Sequence, residues 1–269
     1  MLPGAPAPVI MCAKPGDDRH VKDVPSLNQI RQACSSCSLR QLCLPYGVAE
    51  TDLDQLERIV SRRKPVPGGE PLFRQGEQLG ALYAVRSGSV KTHALSRDGN
   101  EQITGFHFPG ELVGLDALSA DVHGCTATTL ETTTVCAIPF DRLDELAGRI
   151  PGLRRQLLRL MSRELVEDEQ MLLLVGQKTA EQRLAALLLS ISTRFQSRGY
   201  SATEFNLSMS RDDIGNYLGL AVETVSRLFT RFQSDRVLRV RRKNVQILDL
   251  ERLHVIAGVG PSGPSRAQA

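Results

Sequence analysis

Residues 210–233, SRDDIGNYLGLAVETVSRLFTRFQ, determine how the C-terminal part of this chain folds. Their pattern predicts two short helices, over residues 211–218 and 222–233. A Ser-x-x-Asp capping box begins the first helix. Residues 219–221 separate the two helices, and this spacing is typical of a helix-turn-helix. The stretch therefore predicts a DNA-binding element.

The second predicted helix has an apolar face and a polar face. The apolar positions recur at helical spacing and are expected to face inward: Val225, Leu228, Phe229 and Phe232. The opposite face carries Glu223, Ser226, Arg227, Thr230 and Arg231. Arginine can bond guanine bidentately, glutamate can accept from cytosine, and serine can contact either base, so we predict that this face contacts DNA bases. The competing interpretation is a solvated face on which Glu223 and Arg227 form an ion pair.

A basic hairpin follows the helix-turn-helix. Residues 237–240 and 244–248 have strand character, and Arg241, Arg242 and Lys243 lie at the turn between them. Arginine and lysine are suited to phosphate contacts, which position a protein on DNA without reading its sequence. Together with a helix predicted over residues 180–197, these elements predict a DNA-binding domain that ends in a β-hairpin wing.

A long helix is predicted upstream, with Pro151 in its first turn. Apolar residues recur along it with the alternating three- and four-residue steps of a coiled coil. This stripe consists of Leu158, Met161, Leu165, Asp168, Leu172 and Val175. A second apolar face contains Leu153, Leu157, Leu160 and Met171. Two apolar faces favour a helix that contacts its own domain and also a second copy; the simpler alternative is a helix that packs only on its own domain.

The segment between Pro65 and Phe140 has the pattern of short β-strands. Residues 82–85 and 90–95 have strand character on either side of a turn, and Asp98-Gly99-Asn100 is a hairpin signal. Residues 126–138 are rich in β-branched side chains. Closely spaced short strands of this kind predict a small β-barrel or sandwich.

Three cysteines near the N-terminus form a C-x2-C-x5-C group, Cys34, Cys37 and Cys43. Without an export signal, the six cysteines of the chain are expected to be reduced, which favours a metal site over disulfides. A zinc ion or an iron–sulfur cluster would each need a fourth ligand. The candidates are Cys12, Cys125, Cys136 or a histidine. The lack of a second CxxC element favours an iron–sulfur cluster, with zinc as the alternative.

Composition limits the remaining classes of function. The chain has 269 residues, of which 41% are hydrophobic and 23% charged, enough for two packed domains. It shows neither a membrane-length apolar run nor a secretory signal, so a cytoplasmic protein without membrane contact is expected. The five histidines are scattered and no phosphate-binding loop is present. We therefore predict that the protein is not an enzyme.

Several of these motifs together resemble a known family, the bacterial Crp/FNR transcription regulators, and within it the FNR group. The resemblance runs from about residue 34 to residue 250. It is carried by residues 210–233 and by LYAVRSGSVK (82–91), DGNEQITGFHFPGELVG (98–114), ETTTVCAIPF (131–140) and EQRLAALLL (181–189). It implies an α+β fold with a cyclic-nucleotide-binding-type β-roll, a dimerisation helix and a winged helix-turn-helix.

The resemblance also implies a function. In the FNR group, cysteines in this pattern hold a [4Fe–4S] cluster. The residues at the corresponding positions of this chain are Cys34, Cys37, Cys43 and Cys136. The family's E-x-x-S-R motif falls on Glu223, Ser226 and Arg227 and implies palindromic sites with TTGAT-type halves. The expected protein is an oxygen-responsive homodimer that works with RNA polymerase on genes of anaerobic metabolism. Cys12 and Cys125 have no counterpart in that pattern.

The resemblance argues against cyclic-nucleotide binding by this chain. Nucleotide-binding members of the family present an Arg-Ser pair to the phosphate, whereas the corresponding stretch here is Gly124-Cys125-Thr126. A buried phosphate without a cationic partner is costly to desolvate. The alternatives that remain are a family member with a structural zinc site and one with another small effector in the β-roll.

These observations predict a division of the chain into six segments. The predicted segments are a disordered tail (1–25), a cysteine-rich cluster-binding segment (26–50), the β-roll (51–148), the dimerisation helix (149–177), the winged helix-turn-helix (178–252) and a C-terminal tail (253–269).

Overall fold

The computed structural model describes residues 34–95 and 98–258 of the chain. The predicted N-terminal tail lies outside these residues, as do the start of the cysteine-rich segment and the C-terminal residues from 259 onward. The described part is an α+β structure with seven α-helices and eleven β-strands. None of its helices has the length and apolar character that a membrane span requires.

The elements follow one another in an order that matches the predicted architecture. The helices are α1 Glu50–Ile59, α2 Phe140–Arg149, α3 Pro151–Gln177, α4 Ala180–Gln196, α5 Arg211–Leu218, α6 Val222–Ser234 and α7 Leu250–Ala257. The strands are β1 Ser61–Arg62, β2 Pro71–Phe73, β3 Ala81–Ser87, β4 Val90–Leu95, β5 Glu101–His107, β6 Leu112–Val113, β7 Thr126–Thr129, β8 Thr134–Pro139, β9 Glu204–Asn206, β10 Leu238–Arg241 and β11 Asn244–Ile247. Two short 3-10 helices lie at Arg40–Leu42 and Leu115–Ser119.

The β-roll consists of two four-stranded antiparallel sheets, in the orders β1-β8-β3-β6 and β2-β7-β4-β5. Consecutive strands such as β3 and β4 lie in different sheets, because the chain crosses between the sheets at Gly88, whose φ is +80°. Side chains from both inner faces, among them Phe73, Val85, Val90 and Val135, form the core between the sheets. The predicted sandwich-like domain is therefore confirmed.

Two helices that the sequence pattern did not predict pack beside the β-roll. Helix α1 begins at Glu50 and crosses the predicted boundary at residue 50, and α2 leads directly into α3. Their leucines, such as Leu56 and Leu143, share a core with Leu153 of α3. Each helix has only ten residues, too few for a decisive periodic signal beside strong strand patterns.

Helix α3 has two faces of different character. Leu153, Gln156 and Leu160 are buried against the protein's own core. The opposite stripe is exposed, with 59% of Leu158, 65% of Leu165 and 75% of Leu172 accessible to solvent. Exposed leucines in a row are unusual for a surface helix and mark an interaction face. Dimerisation through this face stays a prediction.

The C-terminal domain contains α4 to α7 and a three-stranded sheet ordered β10-β11-β9. The Ser210 side chain caps α5 as predicted, and Gly219 ends that helix with a φ of +64°, which glycine adopts without strain. Helix α7 continues to Ala257 and buries Leu253. The predicted domain end at residue 252 is therefore wrong, because α7 contributes to the core of this domain.

Candidate functional site

Four cysteine side chains line one apolar pocket between the N-terminal segment, α1, β3 and β8. They are Cys34, Cys37, Cys43 and Cys136. The first two lie in one turn, where the Cys37 amide donates to the Cys34 carbonyl at 3.3 Å. Cys136 pairs with Ala84 across β8 and β3. The structure thus brings the four predicted ligands together around one space.

Burial is the dominant influence on these thiols. It raises the pKa of Cys34 to about 12 and that of Cys43 to about 12, so both carry their protons near neutral pH unless a metal replaces those protons. Burial also raises the pKa of Cys136, and the charge of Arg86 acts in the opposite direction. Within residues 34–95 and 98–258, no three His, Cys, Asp or Glu side chains are placed to hold one metal ion. The thiols are therefore neighbours around a pocket, not a preformed single-ion site.

The cysteine segment contacts α3 directly. The Gln156 side chain donates from Nε2 to the Cys43 carbonyl at 3.2 Å. A Cβ on Gly152 would lie 2.6 Å from the carbonyl oxygen of Gly47, so only glycine permits this close approach. Cys34 and Leu160 belong to the same buried core. Any displacement of the cysteine segment would therefore change the packing of the first half of α3.

The predicted inner and outer faces of α6 are both confirmed. Its four apolar residues are buried, and the five predicted contact residues are exposed. Arg227 donates from Nε to the carbonyl of Glu223 at 3.4 Å. Among the described ion pairs none joins these two side chains. The structure therefore does not contain the Glu223–Arg227 ion pair of the competing interpretation. Their role in reading bases stays a prediction.

Arg231 differs from the other residues on that face. Its guanidinium lies 3.2 Å from a carboxylate oxygen of Glu181 and 3.8 Å from one of Asp235. These partners hold it against α4 and the end of its own helix. Arg231 therefore has a structural role besides the predicted DNA contact.

The wing carries its cations at an exposed turn. Arg241 ends β10, and Arg242 and Lys243 form the turn to β11, with Arg242 at a φ of +56°. All three are exposed, and they line a cleft that separates the wing from the β-roll. The wing's positive charge therefore lies beside the body of the protein and remains open to solvent.

The β-roll also has a pocket of about 420 Å³ against α3. Asp116 accepts hydrogen bonds from the backbone amides of Gly124 at 2.8 Å and Cys125 at 3.3 Å. Glu164 and Asp168 of α3 contribute further carboxylates to the lining, and none of the described lining residues is lysine or arginine. Burial raises the pKa of Glu164 to about 7. An anionic ligand in this pocket would lie beside carboxylates and would lack the cations needed to stabilise it.

A buried ion cluster joins the β-roll to the DNA-binding domain. Glu111, next to β6, pairs with Arg194 in the last turn of α4 and with Arg198 in the turn that follows. Burial alone would raise the pKa of Glu111, but the two guanidinium groups lower it to about 2. Nearby, Asn216 of α5 accepts from the Ile103 amide at 2.6 Å on the edge strand β5. These contacts fix the helix-turn-helix against its own β-roll.

Sequence reasoning missed these connecting residues. Arg194 lies in the last turn of α4 and Arg198 in the turn that follows, but the acid that both contact lies 83 residues before Arg194 in the chain. Gln156 carries no pattern that distinguishes it from a surface glutamine, although it is buried. Contacts between distant segments leave no periodic signal in the sequence.

Two family models match this chain. A Crp-like helix-turn-helix domain matches residues 182–256, and a cyclic nucleotide-binding domain matches residues 63–149. The first covers α4 to α7 with the wing, and the second covers the β-roll. The match to the second model concerns the fold of the β-roll.

Named relatives extend the match over most of the chain. The transcriptional activator protein Anr of Pseudomonas protegens is 55% identical over 86% of this chain and 94% of its own length. The fumarate and nitrate reduction regulatory protein of Vibrio cholerae is 50% identical over 84% of this chain and 90% of its own. FixK2 from Bradyrhizobium japonicum has a similar structure, with a TM-score of 0.68 and 30% identity over 76% of this chain and 99% of its own.

A β-roll joined by a long helix to a winged helix-turn-helix defines a class of transcription regulator, and the prediction that the chain is not an enzyme is confirmed by its relatives. The chain belongs to the Crp/FNR family, and the relatives named above place it with the FNR-type regulators.

Proposed function

We propose that this regulator responds to oxygen through a [4Fe–4S] cluster bound by Cys34, Cys37, Cys43 and Cys136. The observation that carries the proposal is the shared pocket, in which three cysteines of the N-terminal segment meet a fourth on β8. Thiolates are the ligands that iron–sulfur clusters use. The apolar lining limits access by water, and the family resemblance supports the same four residues.

The bound cluster supplies oxygen sensitivity, because oxygen destroys clusters of this type. The chain's own residues convert its presence into a mechanical constraint. Ligation ties the N-terminal segment to β8, and the same segment is bonded to α3 through Gln156. Gly152 and Gly47 are in close contact beside it, so the segment cannot shift without disturbing α3.

The exposed stripe of α3 is the surface on which this constraint acts. We expect two copies to pack Leu158, Leu165 and Leu172 against each other in a parallel pair. Asp168 lies on the same stripe, so a two-fold axis would bring two carboxylates together and weaken the dimer. A dimer near its dissociation threshold can be switched by a small change at the cysteine pocket.

A homodimer would place two α6 helices on successive major grooves, about 34 Å apart. Glu223, Ser226 and Arg227 would read a TTGAT-type half-site, and the wing cations would contact phosphates. A relative of this chain is named a transcriptional activator. We expect the bound dimer to recruit RNA polymerase to genes of anaerobic metabolism in the cytoplasm. Binding of a cyclic nucleotide is not part of this proposal, given the acids in the β-roll pocket.

The test begins with protein purified without air. We expect a brown protein with iron and sulfide in a ratio near one, dimeric by sedimentation, that bleaches and dissociates in air. A control sample purified in air and kept reduced should be a colourless monomer with weak DNA binding. A colourless anaerobic protein with stoichiometric zinc would contradict the proposal and favour a structural zinc site.

A further inference from the structure

Arg86 has no hydrogen-bond partner for one of its buried nitrogen atoms. Its Nη1 is inaccessible to solvent, and no acceptor reaches it within the described residues. A buried unpaired donor of a charged group is costly and therefore rare in native proteins. Such an atom indicates that something absent from the protein chain accepts its hydrogen bond.

The strand geometry directs Arg86 towards the cysteine pocket. Arg86 lies at a β-bulge between Val85 and Ser87, an irregularity that redirects a side chain relative to the regular pleat. Ala84 is paired with Cys136 across the sheet, so Arg86 lies two residues along β3 from the partner of that cysteine. Arg86 lines the pocket together with the four cysteines and acts electrostatically on Cys136.

The negative charge of a cluster bound in this pocket would require a cation nearby. Four thiolates carry four negative charges, and the oxidised core of a [4Fe–4S] cluster neutralises only half of them. A net anion in an apolar pocket is costly unless an opposite charge compensates it. The pocket's described lining offers two cations, Arg40 and Arg86. Arg40 already lies 3.6 Å from the Glu50 carboxylate, which leaves Arg86 as the uncommitted charge.

We propose that Arg86 is the charge partner of the iron–sulfur site, and that its guanidinium donates to the sulfur ligands on the Cys136 side of the pocket. This inference rests on the proposed cluster. Arg86 acts through the ligands as a positioning residue. Its positive charge favours the more reduced state, strengthens retention of iron and lowers the tendency of the site to lose its cluster.

The proposal predicts opposite effects in the two states of the protein. Without the cluster, Arg86 is a buried donor without an acceptor, so its removal leaves the stability unchanged or raises it. With the cluster, its removal takes away the compensating charge. A purely structural arginine would instead destabilise both states when replaced.

The experiment compares Arg86→Met, Arg86→Lys and the wild type after anaerobic cluster assembly. Iron loss to a chelator is followed without oxygen, the midpoint potential is measured, and thermal unfolding is recorded for the cluster-free proteins. Arg62→Met is the comparison for an exposed cation, since Arg62 pairs with Cys136 across β1 and β8 and its charge also acts on that thiol, but its side chain is open to solvent.

We expect Arg86→Met to retain iron about 10- to 100-fold less well and to have a more negative potential. Arg86→Lys should restore part of the iron retention and part of the potential. Arg62→Met should change both much less than Arg86→Met, because solvent screens the exposed charge of Arg62. The cluster-free Arg86→Met protein should melt no lower than the cluster-free wild type. If the wild type assembles a cluster and Arg86→Met matches it in retention and potential, only this inference is overturned. If the wild type assembles none, the proposed function fails and the inference fails with it.

Discussion

The α6 surface and the cysteine pocket differ in how far apart along the chain their residues lie. The residues of the α6 surface come from one helix of 13 residues, and their side chains are exposed. The pocket joins Cys34 to Cys136, and its important groups are buried. A local, exposed site can be replaced residue by residue with small effects. A buried site assembled from distant segments is expected to respond as a unit.

Replacing Cys136 should have the largest effect, because it removes the connection between the two segments of the pocket. Cys136→Ser should lose the iron and sulfide completely after anaerobic assembly, since serine is a poor cluster ligand. Iron and sulfide assays with the visible spectrum measure this. The matched control is Cys125→Ser, which removes a buried thiol that lines the β-roll pocket instead. Equal loss in both variants would show that the effect is not specific to the pocket.

Replacing Glu111, which joins the β-roll to the DNA-binding domain, should have the next largest effect, a loss of stability. Glu111→Gln leaves Arg198, with only 3% of its side chain exposed, without its carboxylate. Removing one partner of a buried ion pair costs about 3–5 kcal/mol. Denaturant unfolding measures this change. The exposed pair of Arg149 and Glu145 provides the control, because Glu145→Gln should cost less than about 1 kcal/mol.

The stability that the buried Glu111 carboxylate contributes depends on pH. Because the folded state lowers the pKa of Glu111 from 4.5 to about 2, its contribution to stability is complete above pH 4.5 and is lost as the pH falls towards 2. The free energy of unfolding of Glu111→Gln should therefore fall less steeply with acid than that of the wild type. Parallel curves would mean that another group dominates the acid transition.

The difference between local and distant contacts also explains what the sequence could predict. The bounds of α5 were predicted correctly and those of α6 to within one residue, because capping and periodicity are local signals. The two apolar faces of α3 were predicted for the same reason. The ion cluster of Glu111, the Gln156 contact and the unpaired nitrogen of Arg86 depend on how distant segments pack, which no local pattern encodes. Helix α7 was missed because it is short and follows a strand.

On the α6 surface, single replacements should have moderate and separable effects. Arg227→Ala should cost about 1–3 kcal/mol and relax the preference at one G·C pair of each half-site. Arg241→Ala, in the wing, should weaken binding to all sequences alike and reduce the salt dependence. Titrations on matched and mismatched operators at several salt concentrations separate the two. Uniform loss in both variants would contradict the assignment of α6 as the reading helix.

The α3 stripe is intermediate between the two kinds of site, because it is local in sequence but acts only across two copies of the chain. Asp168 is exposed there, and partial burial already raises its pKa in the single chain. At a two-fold axis each Asp168 would face its twin, and two charges about 4 Å apart in water repel by about 1 kcal/mol. Asp168→Ala should remove this repulsion and strengthen the dimer several-fold.

Sedimentation of the cluster-free protein in air tests this smallest effect, because there the cluster cannot mask it. We expect Asp168→Ala to form dimers at concentrations where the wild type is monomeric. Glu167→Ala is the control, since Glu167 lies off the stripe and pairs with Arg163 on the surface of its own helix. If Asp168→Ala remains a monomer like the control, Asp168 lies at the rim of the contact, and the dimer must be controlled by the seating of α3 against the cysteine segment rather than by charge at its seam.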